Sequence, residues 1–331
     1  MDTVSAMCVA VPRKKAEEAR QRLLDEGILR TDLKIRHDNK YVYLPVMDVA
    51  VGIDDLISME FERVKRRESF RDLISEKVPA GISSFDVIGD IAVLRIPSEL
   101  MEYREDIGNA MLSTNKSIKV VCVDRGVKQD YRLRDIEVIA GENRTETTHV
   151  EHGIKIKVDV AKAYYSPRLA SERKRIADMV KKGDIVIDMF AGVAPFSLLI
   201  AKMAKPSRVY AIDINPVAVK YASMNAKENG VGDIVEVMEG DARDVVPSLG
   251  RADHVIMNLP HSAHEFLPVA INAGKMVHYY EIIEKSKIDE RLERLESEEG
   301  KDGKKANVKE WRVVGGYSPS RVKIGVDMVI R

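Results

Sequence analysis

Residues Asp184–Phe196 read DIVIDMFAGVAPF. Ile185, Val186 and Ile187 form the short apolar run of a parallel strand covered on both faces, and Asp188 closes it. Ala191, Gly192 and Ala194 lack bulk, so the backbone there can approach a ligand closely. Pro195 suits the first turn of a helix that Phe196, Leu198, Leu199 and Ile200 continue. The next apolar run, Val209–Ile212, ends in Asp213, 25 residues after Asp188. An acid at the tip of a second strand is placed to hydrogen-bond ribose hydroxyls. A third run, Ile234–Met238, leads into Glu239-Gly240-Asp241-Ala242-Arg243 and brings another carboxylate to the same sheet edge, where Asp241 is placed to accept from an adenine amino group.

The turn also selects among nucleotide cofactors. A dinucleotide turn needs G-x-G-x-x-G so that a pyrophosphate can rest on exposed amides, and this one has a single glycine. S-adenosylmethionine (SAM) carries adenosine and a sulfonium amino acid without phosphates, so it needs close backbone approach and a ribose acid but no anion cradle. The expected cofactor contacts are Asp188, Phe190, Ala191, Gly192 and Val193, then Asp213 with Ile214, then Asp241 with Ala242. A fourth run, Ala252–Met257, is followed by Asn258-Leu259-Pro260-His261 at a strand end where ligands of open α/β sheets gather. Tetrapeptides of this N-x-P-x kind recur in SAM enzymes that act on planar amide or ring nitrogens. The Asn258 amide and the rigid backbone at Pro260 can hydrogen-bond the edge of a flat base, and Asn258 also borders the cofactor.

Composition bounds the remainder. With 331 residues, 45% of them hydrophobic, the chain can bury two or three cores. No run approaches the ~20 apolar residues of a membrane span, and the N-terminal MDTVSAMCVAVPRKK lacks the charge-then-apolar order of a signal peptide, which points to the cytoplasm. Cys8 and Cys122 stand without a C-x-x-C partner and read as core thiols; no metal motif is present. Basic and acidic residues number 53 each, so net charge does not argue for a polyanionic partner. Basic stretches such as Arg63–Arg71 and Arg173–Lys182 are interleaved with acids and read singly as solvated helix faces. Three segments separate: a small α/β module over 1–58, a middle α/β module over 70–152, and the SAM-binding α/β domain over 153–331. In the last, the runs Trp311–Val314 and Val322–Ile330 flank Gly315-Gly316-Tyr317-Ser318-Pro319 and predict an antiparallel final pair.

Before the first cofactor strand lies Val158–Arg175, VDVAKAYYSPRLASERKR. Tyr164 and Tyr165 offer planar faces for an unstacked base. Arg168, Glu172 and Arg175 fall at i, i+4 and i+7, which would set a carboxylate between two guanidiniums on one helix face. The same spacing also describes a salt-bridged helix with core tyrosines.

From about Arg132 to the C-terminus, and more loosely before it, the chain resembles the archaeal and eukaryotic tRNA guanosine-37 N1-methyltransferases. The resemblance rests on YRLRDIEVIAGE (Tyr131–Glu142), EHGIKIKVDVAKAYYSPRLASER (Glu151–Arg173), DMFAGVAPF (Asp188–Phe196), AIDINP (Ala211–Pro216) and NLPHSAHEFL (Asn258–Leu267). It implies a class I SAM methyltransferase domain, Rossmann-like and mostly parallel, preceded by two smaller α/β modules, the first of which touches the outer corner of tRNA. It further implies that Glu172 takes the N1 proton of guanine, that Arg132 donates to O6, and that Asn258 and Pro260 hold the base edge. Tyr164, Arg168 and Arg173 match positions near a flipped anticodon-loop nucleotide. The implied enzyme is a monomer with no stable protein partner. Family members commonly carry glycine where Ala194 stands; an alanine fits there if its φ is negative and its methyl points away from the ligand. Two rivals stay open. One is a wyosine-pathway enzyme that methylates a tricyclic intermediate or moves the aminocarboxypropyl group of SAM, although Arg168 in the PRL motif argues for methyl transfer. The other is a catalytically silent tRNA-binding module.

Overall fold

The computed structural model describes residues 3–47, 56–64, 69–75, 77–78, 85–127, 133–300 and 303–331. The chain divides into two units, Met1–Ser69 and Phe70–Arg331. In the first, strand β1 (Thr3–Pro12) leads through a 3-10 turn into helix α1 (Ala16–Asp25), followed by β2 (Arg36–His37), β3 (Tyr41–Pro45) and β4 (Leu56–Glu62). The sheet order is β2-β3-β1-β4, and β1 pairs antiparallel with both β3 and β4. Alternation puts one set of side chains inward, and Leu23 of α1 closes a core with Val11, Leu44 and Val46. Strand β4 is not apparent from its charged sequence, because it is an edge strand that buries only Phe61.

The second unit opens with helix α2 (Phe70–Ile74), β5 (Phe85–Ile88), β6 (Ile91–Leu94), α3 (Arg104–Thr114), β7 (Val120–Val127) and β8 (Arg134–Gly141). These strands make a second four-stranded sheet in the order β5-β6-β7-β8. Ile91, Ala92, Val93 and Leu94 are all buried because both faces are covered. Ala92 and Leu94 pack with α2 and α3, while Ile91 and Val93 face a core that includes Ile154, Ile156 and Val158. Those last residues belong to a hairpin, β9 (Glu146–Glu151) and β10 (Ile154–Asp159). Asn225 and Asn229 of a later helix cap its outer edge, their amides bonding the backbone of Lys157 and Lys155 at 2.7–3.0 Å.

After α4 (Ala170–Met179) come β11 (Ile185–Asp188), α5 (Pro195–Ala204), β12 (Arg208–Asp213), α6 (Pro216–Glu228), β13 (Val235–Glu239), α7 (Ala242–Val245), β14 (Ala252–Met257) and α8 (Leu267–Ala273). The chain ends with β15 (Gly274–Glu284), α9 (Ile288–Glu296), β16 (Ala306–Gly316) and β17 (Arg321–Ile330). The seven-stranded sheet runs β13-β12-β11-β14-β15-β17-β16. Neighbours are parallel from β13 to β15, and β17 and β16 add antiparallel, as the two C-terminal apolar runs predicted. Strand order reverses between β11 and β14, which opens a crevice at their carboxyl ends. The expectation for Ala194 needs correcting: its φ is 66°, in the left-handed region, where a Cβ costs roughly 1–2 kcal/mol. Ala194 is fully buried in the core and does not line the crevice, which meets the second condition but not the first.

Both cysteines are buried, as expected of core thiols, and burial pushes the Cys122 thiol up to about 12. No helix among the described residues is long and apolar enough to cross a membrane. Among them there is also no group of three or more His, Cys, Asp or Glu side chains that could hold a metal ion.

Candidate active site

The crevice is a cleft of about 700 Å³ walled by the ends of β11 to β14, by the segment before α4 and by β5, β6 and β8 of the middle sheet. At its cofactor end the Gly192 amide donates to Asp213 Oδ2 (2.6 Å) and the Asn215 amide to Asp213 Oδ1 (2.9 Å). A carboxylate offers about four lone-pair sites. With the Ile214 amide also bonding this carboxylate, lone-pair capacity remains for a ribose hydroxyl. Burial raises the Asp213 carboxyl above its ordinary value, against these backbone donors. Gly192 has φ 56°, and a Cβ there would lie 3.3 Å from the Tyr164 carbonyl oxygen, so the cofactor turn and the acceptor segment are in close contact.

Phe190, Ala191, Gly192, Asp213, Ile214, Asp241, Ala242 and Asn258 all line the cleft. Ile214 is half exposed and presents an apolar face beside Asp213. Phe190 packs edge-on against Phe266, another lining residue, at 4.9 Å between centroids. Asp241 caps α7 by accepting from the Arg243 amide (2.8 Å), and the Arg243 guanidinium holds its carboxyl below the ordinary value. Asp188 and Val193 are fully buried behind the wall. Asp188 accepts from the Ser197 hydroxyl (2.8 Å), while burial pushes its carboxyl up to about 7. The residues present fit SAM: a ribose acid with remaining lone-pair capacity, a bulk-free turn and an apolar wall. Asp213→Ala is expected to weaken SAM binding about tenfold or more, since hydrogen bonds to a charged group are worth ~1.5–3 kcal/mol; titration calorimetry giving equal affinities would remove Asp213 from the ribose.

The acceptor end gathers Tyr164, Arg168, Arg173 and Pro260. Tyr164 is half exposed, with the Arg134 guanidinium over its ring at 5.6 Å. Arg168 does not share a helix face with Glu172, as its spacing suggested. It sits in a 3-10 turn, Pro167–Leu169, and its Nε donates to Asp86 Oδ1 of β5 (2.6 Å). Arg173 is buried. Its Nε donates to Glu151 Oε1 (2.6 Å), a second nitrogen contacts Glu151 Oε2, and the Tyr165 hydroxyl donates to the same carboxylate (2.8 Å). Burial pushes Glu151 up, but the Arg173 guanidinium outweighs it and holds the carboxyl below its ordinary value. Arg132 lies outside the described residues.

Glu172 is buried on α4 and is not on the cleft wall. Its carboxylate accepts from Arg175 through Nε (3.0 Å) and a terminal nitrogen (2.7 Å), and from the Tyr280 hydroxyl (2.8 Å). Arg175 continues to Asp327 (2.7 Å), Asp327 accepts from His278 (2.7 Å), and His278 stacks on His254 with ring nitrogens 3.0 Å apart. Burial, with the neighbouring His278, depresses His254 to about 4. The carboxylate therefore does lie between two guanidiniums, but the second belongs to Arg312 (3.8 Å) rather than to Arg168.

Sequence reasoning passed over Lys323, which lines the cleft from β17 and donates to Asn258 Oδ1 (2.8 Å). Desolvation, helped by Arg173 and opposed by Glu172, lowers its ammonium to about 8. A signal existed: Lys323 and Asp327 are charges four apart in the apolar run RVKIGVDMVI, and period-2 alternation puts both on one face.

The TRM5/TYW2 methyltransferase domain family matches residues 147–308, the TYW2 N-terminal domain family 67–145, and the tRNA methyltransferase 5 N-terminal domain family 8–54. The chain is 41% identical over 332 residues to the tRNA (guanine(37)-N(1))-methyltransferase Trm5b of Pyrococcus abyssi, covering 97% of this chain and 98% of that one. It is 36% identical to the Trm5b of Methanocaldococcus jannaschii over 98% of both chains. Among solved structures it superposes on the crystal structure of Pyrococcus abyssi Trm5b with a TM-score of 0.75 at 39% identity, over 98% of this chain and 99% of that one. On a structure of aTrm5 in complex with tRNALeu the TM-score is 0.71 at 34% identity, over 98% and 100%. With full-length similarity of this order, and with an α/β cleft of the kind such enzymes need, the chain belongs to the Trm5 family of tRNA (guanine-37 N1)-methyltransferases.

Proposed function

We propose that this protein transfers the methyl group of SAM to N1 of the guanosine 3′ of the anticodon in tRNA. The observation that carries the reading is one cleft walled on one side by the Gly192–Asp213 ribose site and on the other by Tyr164, Arg168 and Asn258. SAM supplies the electrophilic methyl on its sulfonium. Guanine N1 is a poor nucleophile while protonated, and negative charge builds on O6 as the proton leaves. Glu172, held behind the cleft wall by Arg175 and Tyr280, takes that proton as general base once substrate binding turns its carboxylate into the cleft, Arg132 stabilises O6, and Asn258 and Pro260 hold the base edge. Tyr164 stacks the extruded base, Arg168 positions it with its backbone, and Arg173, buried against Glu151, braces the acceptor segment through the Ser166 carbonyl. Loop nucleotides have little pairing to lose on extrusion. Asp188 and Val193 shape the cofactor turn from behind. Residues 1–58 recognise the outer corner of tRNA, residues 70–152 link them to the catalytic domain over 153–331, and the enzyme works as a cytoplasmic monomer.

The reading is tested by incubating tRNA that carries guanosine 37 with SAM labelled either on its methyl or on its carboxyl. Methyl label alone should appear in the RNA. Carboxyl label in the RNA would mean aminocarboxypropyl transfer and would overturn the reading, and label from neither would do the same for transfer altogether.

A further inference from the structure

Lys323 reaches the cleft from β17 and ends 2.8 Å from Asn258 Oδ1, with its ammonium also 5.4 Å from the centre of the Tyr280 ring. An ammonium has three donors and no acceptor, so the atom of the Asn258 amide facing it has to be the oxygen. The amide nitrogen is thereby turned the other way, and Asn258 lines the cleft, where its Nδ2 is placed to donate to a bound base. Without Lys323 the two ends of an amide are close to equivalent, and Asn258 could present either its oxygen or its NH₂ to a base.

We infer that Lys323 is a positioning residue that sets base specificity by locking the Asn258 amide with its NH₂ toward the base. The inference rests on the proposed reaction. A locked donor accepts a base edge that offers an acceptor at position 6, as guanine does with O6. It opposes an edge that offers an amino group there, as adenine does, because two donors would face each other across a desolvated contact. The same lock puts O6 against a second donor while charge accumulates on it, which favours the reaction over ground-state binding. Lys323 acts through Asn258 and not on the base.

A double-mutant cycle tests this. Single-turnover methylation is measured on guanosine-37 tRNA and on inosine-37 tRNA, which keeps O6 but lacks the 2-amino group, for the wild type, Lys323→Met, Asn258→Ala and the double variant. SAM affinity and melting temperature are recorded beside each. Lys323→Met should slow both tRNAs about 10- to 100-fold, with SAM affinity within about twofold of wild type. In the Asn258→Ala background the same change should have no further effect beyond about threefold. Multiplying effects in the double variant, a Lys323→Met rate within threefold of wild type, or a loss confined to guanosine would each overturn the inference. A wild-type enzyme inactive on guanosine 37 would instead overturn the reaction it rests on.

Discussion

Glu172→Gln should lower the single-turnover rate of methyl transfer by about 10²-fold or more, as loss of a general base commonly does, while SAM and tRNA bind within about twofold of wild type. Glutamine keeps the shape and an acceptor oxygen for the Tyr280 hydroxyl, but it cannot take a proton. The geometry makes the accompanying stability measurement informative. Arg175 is bonded on one side to Glu172 and on the other to Asp327, so neutralising Glu172 leaves the guanidinium with a carboxylate partner, and the loss of stability should be small. A protein with an unchanged rate but a much lower melting temperature would make Glu172 a structural ion-pair partner and nothing more.

Glu151→Ala should destabilise the native state by about 3–5 kcal/mol, because it strands Arg173 as an unpaired buried charge. The pair is almost fully enclosed, with side chains 2% and 4% exposed, so solvent does not screen the loss. Denaturant unfolding followed by the fluorescence of Trp311, the chain's single tryptophan, reads the unit that contains the pair. The folded carboxyl lies below its ordinary value of 4.5; its contribution is therefore full above that value and is lost as the pH falls through the lower, folded one. The wild type and the variant should converge in strongly acidic solution. The apolar double substitution Glu151→Leu with Arg173→Met is not simple repair, since Arg173 also lines the cleft; it should recover stability without recovering methyl transfer. A Glu151→Ala protein as stable as wild type at neutral pH would show that the pair holds nothing together.

What the sequence made legible was whatever depends on neighbours along the chain. The run Asp184–Phe196, the acids at the ends of successive strands and the two C-terminal apolar runs each announce themselves within a dozen residues, and the sheet assembles from them in the order observed. What stayed hidden depends on distant pairing. Arg168 is 82 residues from Asp86, and the spacing to Glu172 suggested a helical face because nothing local shows that Pro167–Leu169 forms a tighter turn before α4 begins. Lys323 lies 65 residues from Asn258, and its meaning depends on β17 inserting between β15 and β16. The hairpin Glu146–Asp159 alternates openly, yet its role as a cover for the middle sheet appears only when Ile154 and Ile156 are seen against Ile91 and Val93. Ala194 departs for another reason: a backbone at φ 66° is set by the turn it closes, and its residue type alone argues for the opposite sign.

The most direct measurement is methyl transfer from SAM to two tRNA transcripts identical except for guanosine or adenosine at position 37, followed by nucleoside analysis by mass spectrometry. 1-Methylguanosine from the first transcript and no methylated nucleoside from the second is the predicted result. Methylation at another position or another atom, or equal methylation of both transcripts, would contradict it.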